Sequence, residues 1–186
     1  MNKNSLAVRI LGLVLIICGA AVMLRVAVLL RSNDEVQQQA NQECFAVLEA
    51  LQEMMPETPL EDPSEEYRFP SLYVNEHDCV GILSIPELDL TLPIGGIYES
   101  TEIMPHILER GTMIIEGPSY EEQFGKLEHA RMGMQVFFTD INGAEYEFEA
   151  TTVEKLTNTQ AGSGQMQLYY FVGRNKRFSI GCERIR

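Results

Sequence analysis

Cysteine and histidine are too few and too scattered in this chain to make a site by themselves. Of four cysteines in 186 residues, Cys18 lies in an apolar run, leaving Cys44, Cys79 and Cys182, an odd number without a C-x-x-C pair. None stands at metal-ligand spacing from His77, His106 or His129. The sequence therefore calls for no metal and no cofactor, and the histidines are expected on the surface or in the core. A disulfide between two of the three cysteines stays open. Basic side chains are also scarce. The four in the first 31 positions come without an acid, so the other ten face all 27 acidic side chains. Nucleic acid is thereby excluded as a partner, since phosphate binding needs a basic face. Close adhesion to anionic lipid is disfavoured outside any anchor. There is no βαβ rhythm, which argues against a parallel α/β fold.

What the chain does have begins with hydrophobicity. Positions 6–30 are apolar except for Arg9 and Arg25, close to the roughly 20 residues that a bilayer-spanning helix needs. Arg9 can snorkel at one end; Arg25 must reach the other interface or shorten the span. A cleaved signal peptide is the competing reading, but no Ala-x-Ala site follows. An uncleaved anchor over 1–31 is the expectation. Ser32 or Asn33 can cap a second helix over 32–55, whose Val36, Ala40, Cys44, Val47, Leu48, Leu51 and Met55 form one apolar stripe. Such a helix serves as a stalk or docks on the neighbouring domain. Pro56, Pro59, Pro63 and Pro70, interleaved with acids, make 56–71 a spacer.

From 72 to 186 the pattern is β-rich. Val80 to Ile85 reads as a strand stopped by Pro86, and Leu88 to Leu92 as another before Pro93. Met113-Ile114-Ile115 is a short buried run. Positions 134–139 and 144–153 flank Asp140-Ile141-Asn142-Gly143, a hairpin turn suited to positive backbone angles. In the second arm Tyr146, Phe148 and Ala150 alternate with Glu145, Glu147 and Glu149, core side against wet side. Positions 167–171 and 177–180 supply the last strands, and 100–110 and 124–130 read as short helices. A mainly β fold follows, a closed or nearly closed barrel with brief helical connections.

Four ordered pieces carry a family resemblance. Val80 to Pro86 with Leu92-Pro93, then Ile115-Glu116-Gly117-Pro118 with Phe124-Gly125-Lys126-Leu127, then the 133–146 hairpin, then Leu168 to Phe171 with Arg177 to Arg184, together resemble the sortases of class B type over essentially all of 74–186. The resemblance implies a sortase barrel, a cytoplasmic N-terminus, and an outward-facing domain on a single-pass membrane helix. It also implies a cysteine transpeptidase ancestry: a thiolate attacks the threonine carbonyl of an L-P-x-T-G-type sorting signal, a histidine moves protons, and an arginine holds the developing oxyanion.

Set against that pattern, Pro118 falls on the histidine position, Phe171 on the cysteine position, and Arg177 on the arginine. An imino acid cannot transfer a proton, and without a thiolate no acyl-enzyme forms. The expectation is a non-catalytic pseudosortase that holds a sorting-signal-like peptide, a pilin or another sortase at the cell surface. The alternative is an active cysteine transpeptidase or hydrolase with a displaced nucleophile, Cys182 or Cys79. Strand alternation puts Cys182 on the opposite face from Arg177, toward the core. Arg177 itself has a plain reading as a surface ion-pair residue.

Overall fold

The structure is a computed structural model that describes residues 3–60, 69–100, 102–109, 113–156, 164–172 and 176–185. Its first element, α1 (Lys3–Met54), is one unbroken helix. No cap interrupts it at Ser32 or Asn33, contrary to expectation, because neither proline nor glycine stands near that junction and a started helix propagates at little cost. Among the residues whose side chains are described, no helix is long and apolar enough to cross a membrane. The anchor expected over 6–30 falls mostly on side chains outside that description.

The chain forms two compact units, Met1–Gln39 and Ala40–Arg186. The end of α1 therefore belongs to the barrel's unit, and the stalk expected over 32–55 is divided. Its apolar stripe begins at Ala40, since Val36 is exposed, and continues through Cys44, Val47 and Leu51, all buried. The i, i+4, i+7, i+11 spacing puts them on one face. Each large side chain so buried contributes about 1.5–3 kcal/mol. Polar bonds fix the register: the Asn75 amide donates to the Ala46 carbonyl at 3.2 Å, and the buried Gln123 amide donates to Asn41 Oδ1 at 2.9 Å.

Nine strands follow: β1 (Leu72–Val74), β2 (His77–Ile85), β3 (Leu90–Gly95), β4 (His106–Ile107), β5 (Met113–Glu116), β6 (Gln135–Asp140), β7 (Glu145–Leu156), β8 (Met166–Val172) and β9 (Lys176–Arg184). Their order is β1-β2-β3-β4-β5-β8-β9-β7-β6, and a further β2–β6 pairing closes strands β2 to β9 into a barrel. Closure needs Gly81, where a Cβ would stand 2.2 Å from the Thr139 carbonyl oxygen. Leu83, Leu92, Ile94, Ile115, Phe138, Phe148 and Leu168 fill the interior.

Several expectations need correction. Pro93 does not end its strand but pairs with Ile82 inside β3. The far side of β3 is paired only at Gly95, so a missing N–H is tolerated there. The described part of the helix expected over 100–110, positions 102–109, holds turns and β4 instead; Tyr120 Oη and the Gln123 amide bind the Glu102 and Ile103 carbonyls from outside the segment. The short helix expected over 124–130 is present, as a 3₁₀ helix over Phe124–His129. In the hairpin turn only Gly143 takes a positive φ, of 81°, while Asp140 Oδ1 accepts from the Asn142 and Ala144 N–H groups, both at 2.9 Å. The spacer is partly docked: the Leu60 N–H donates to the Asn142 carbonyl, and Phe69 packs on Phe138 and Tyr146 with ring centroids 4.8 and 5.5 Å away. Its middle, 61–68, lies outside the described residues.

Candidate functional site

Parallel pairing of β5 with β8 sets Glu116 beside Tyr169, and antiparallel pairing of β8 with β9 sets Tyr169 beside Ser179 and Phe171 beside Arg177. On the other flank His106 of β4 faces Glu116. Register partners share a face, so a row of four, His106, Glu116, Tyr169 and Ser179, crosses the outside of the sheet. Phe171 and Arg177 stand next to it at the strand ends. The opposite face of the same strands carries Leu168, Tyr170, Phe178 and Ile180 into the core.

The chain leaves β5 through Gly117-Pro118. A side chain at Gly117 would collide with the Phe124 ring, 2.5 Å from the Cβ position, and the Gly117 N–H donates to the Tyr169 carbonyl at 3.1 Å. Pro118, buried, follows that strand end. The structure thus brings Phe171 and Arg177 together at one corner of the sheet, while Pro118 lies two residues past the end of β5. The intervening positions 173–175 lie outside the described residues.

Arg177 is stacked and makes no ion pair among the described residues. Its guanidinium carbon sits 3.9 Å from the Tyr169 ring centroid and 5.1 Å from that of Phe171, close enough for cation–π attraction. Its Nε is buried and has no hydrogen-bond partner among the described residues. The surface ion-pair reading of Arg177 thus has no partner among them. Below it, Tyr169 Oη donates to Glu116 Oε2 at 3.0 Å. Burial first, and then that bond, hold the Tyr169 hydroxyl in its neutral form. Burial likewise lowers the His106 pKa against the pull of Glu116 and Glu99, and its Nδ1 has no partner among the described residues. At neutral pH the corner therefore offers a cation, a neutral imidazole, a hydroxyl already committed to a carboxylate, and the half-exposed Phe171 ring. These can bind a ligand but offer no activated nucleophile.

The cysteines lie elsewhere. Cys182 pairs with Ala150 and Met166 on the core side of β9, and Cys79 begins the buried side of β2. Both are 0 % exposed, and burial pushes each thiol up to about 12. Cys44 is equally buried, its thiol also pushed up to about 12. Among the described residues no group of three His, Cys, Asp or Glu side chains gathers as a metal site.

The comparison with solved structures bears on the fold. Sortase A of Listeria monocytogenes superposes on 58% of this chain and 88% of its own, with a TM-score of 0.50 and 16% identity. The barrel has the sortase fold. Sortase C1 of Streptococcus agalactiae, as a lid mutant, superposes with a TM-score of 0.49 and 16% identity over 62% of this chain and 71% of its own. The sortase D5 transpeptidase of Clostridium perfringens does so at 0.48 and 11% identity, over 59% and 80%. No family model and no curated protein matches the chain. Sequence reasoning on the sortase-like domain missed the Glu116–Tyr169 bond and the stacking of Arg177 on Tyr169. The odd positions of Leu168 to Phe171 and Arg177 to Ser179 held a usable signal, since strand alternation puts Tyr169, Phe171, Arg177 and Ser179 on one side.

Proposed function

We propose that this sortase-like domain is a pseudoenzyme: it holds an extended peptide across the outer face of β5, β8 and β9 and does not cut it. The observation that carries the reading is the company Arg177 keeps. Its strand partner is a phenyl ring, Phe171, with Pro118 on the adjoining strand end, and no thiol stands beside it. A stacked guanidinium with its Nε covered can still present its outer nitrogens to a backbone carbonyl or carboxylate. The half-exposed Phe171 ring supplies apolar contact next to it. In this reading residues 6–30 anchor the protein in the cell membrane, the barrel faces outward, and the ligand is a sorting-signal-like segment of a surface protein, a pilin or a partner sortase.

The competing reading, a cysteine transpeptidase using Cys182 or Cys79, requires a thiolate that meets substrate. Complete burial and thiols near pKa 12 weigh against it. Two measurements on the full chain separate them. Under native conditions a thiol-reactive probe should label Cys79 and Cys182 far more slowly than free cysteine, and an L-P-x-T-G-type peptide should bind saturably without cleavage. Rapid labelling of either cysteine together with peptide cleavage would overturn the proposal.

A further inference from the structure

His77 opens β2 and is only 8 % exposed, yet both of its ring nitrogens meet carboxylates. Nε2 is 3.0 Å from Glu43 Oε1 on α1, and Nδ1 is 3.0 Å from Glu99 Oε2 on the loop after β3. The other oxygen of Glu99 accepts the Asp78 N–H at 2.6 Å, which fixes that carboxylate in place. A neutral imidazole carries one N–H and one lone pair, and a lone pair facing a carboxylate repels it. Both contacts can be hydrogen bonds only when the ring is an imidazolium.

We propose that His77 is a proton-operated latch, fastening residues 40–54 of α1 to the barrel while the ring is charged and releasing that attachment when it is neutral. The inference is independent of the peptide-binding reading, for it concerns the seat of the helix and not the Arg177 corner.

The surroundings are consistent with a latch at this one residue. On α1 the ionisable groups at this contact are Glu43 and Cys44, on β2 Asp78 and Cys79, on the following loop Glu99, and on β4 His106. The two thiols sit near pKa 12 and stay neutral. The His106 pKa is lowered, the opposite direction. For His77, burial works against the charged ring, but the bonds to Glu99 and Glu43 outweigh it and raise the pKa above 6.5. A raised folded-state pKa means that the latch contributes fully below pH 6.5 and is lost as pH rises through the folded value. Two further bonds between helix and barrel, Gln123 to Asn41 and Asn75 to the Ala46 carbonyl, involve no titrating group. Release therefore loosens the helix end without unfolding the barrel.

Amide hydrogen exchange on the full chain tests this at pH 6 and pH 9, after correction for intrinsic rates. Protection of residues 43–51 should fall at pH 9 relative to β7 and β9, by about tenfold for each pH unit by which folding raises the His77 pKa. In His77→Gln, protection of the same residues should be low at both pH values. Equal relative protection at pH 6 and pH 9, or a pH effect that survives in His77→Gln, overturns the latch. If that variant does not fold, imidazole NMR titration of the unaltered chain decides: a His77 midpoint above 6.5 is expected, and one at or below 6.5 sinks the proposal.

Discussion

Two polar clusters sit on this barrel, and they differ in how completely their hydrogen bonds are used. Around His77 both ring nitrogens, both Glu99 oxygens and the Asp78 N–H are engaged. Around Arg177 a guanidinium Nε has no partner among the described residues, and neither does His106 Nδ1 further along the same row. Burying a polar group without a partner costs about 1–3 kcal/mol, so an unfilled cluster persists where something other than stability maintains it. A satisfied cluster needs no such explanation. The difference marks the first as a fastening and the second as the place to look for a ligand.

Breaking the fastening should give the largest stability loss. Glu99→Ala removes the partners of the His77 Nδ1–H and the Asp78 N–H, one bond charge-assisted at each end, and should cost about 2–4 kcal/mol in urea or guanidinium unfolding. Gln123→Ala leaves buried Asn41 of α1 without its partner and should cost about 1–3 kcal/mol by the same assay. Arg177→Ala should cost less, about 0.5–1 kcal/mol, because only stacking is lost. Its effect belongs on the ligand: at least a tenfold drop in peptide affinity by calorimetry, and a stability loss larger than that of Glu99→Ala would reverse the assignment of the two clusters. The smallest change is a gain. Glu76 takes a φ of 71°, so Glu76→Gly should add about 0.5 kcal/mol to the melting free energy.

The two histidines sharpen the contrast through pH. His77 has a raised pKa, so its stabilisation is present below pH 6.5 and fades as pH rises through the folded value. His106 has a lowered pKa, so its contribution is present above pH 6.5 and is lost as pH falls through the folded value. Stability measured from pH 5 to 9 should therefore fall with pH in His106→Gln and rise with pH in His77→Gln. Slopes of the same sign in both variants would show that one of these environments has been misread.

Much of the barrel was legible because its strands carry period-two patterns. Tyr146, Phe148 and Ala150 are buried and Glu145 and Glu149 exposed, as their alternation requires, and Cys182 lies on the core side of its strand. Elements shorter than two pattern repeats were not legible. β4 has two residues and β1 three, and the turn between β1 and β2 uses Asn75-Glu76, whose second residue gives no warning of a positive φ. The latch was invisible for a different reason. Glu43, His77 and Glu99 are 34 and 22 residues apart, and nothing local records that the helix end comes to rest on β2. At the Arg177 corner the residues were named but their relations were not, since the stacking arises only once β9 pairs with β8 and the Tyr169–Glu116 bond only once β5 lies parallel to β8.

Closure of β2 onto β6 has a further consequence for association between copies of the chain. A sheet with open margins invites neighbouring chains to add on strand by strand. Here the strand order ends on β1, three residues long, and the outer side of β3, paired only at Gly95, carries Pro93. A three-residue stub is too brief to template a fibril, and Pro93 denies an added strand one N–H.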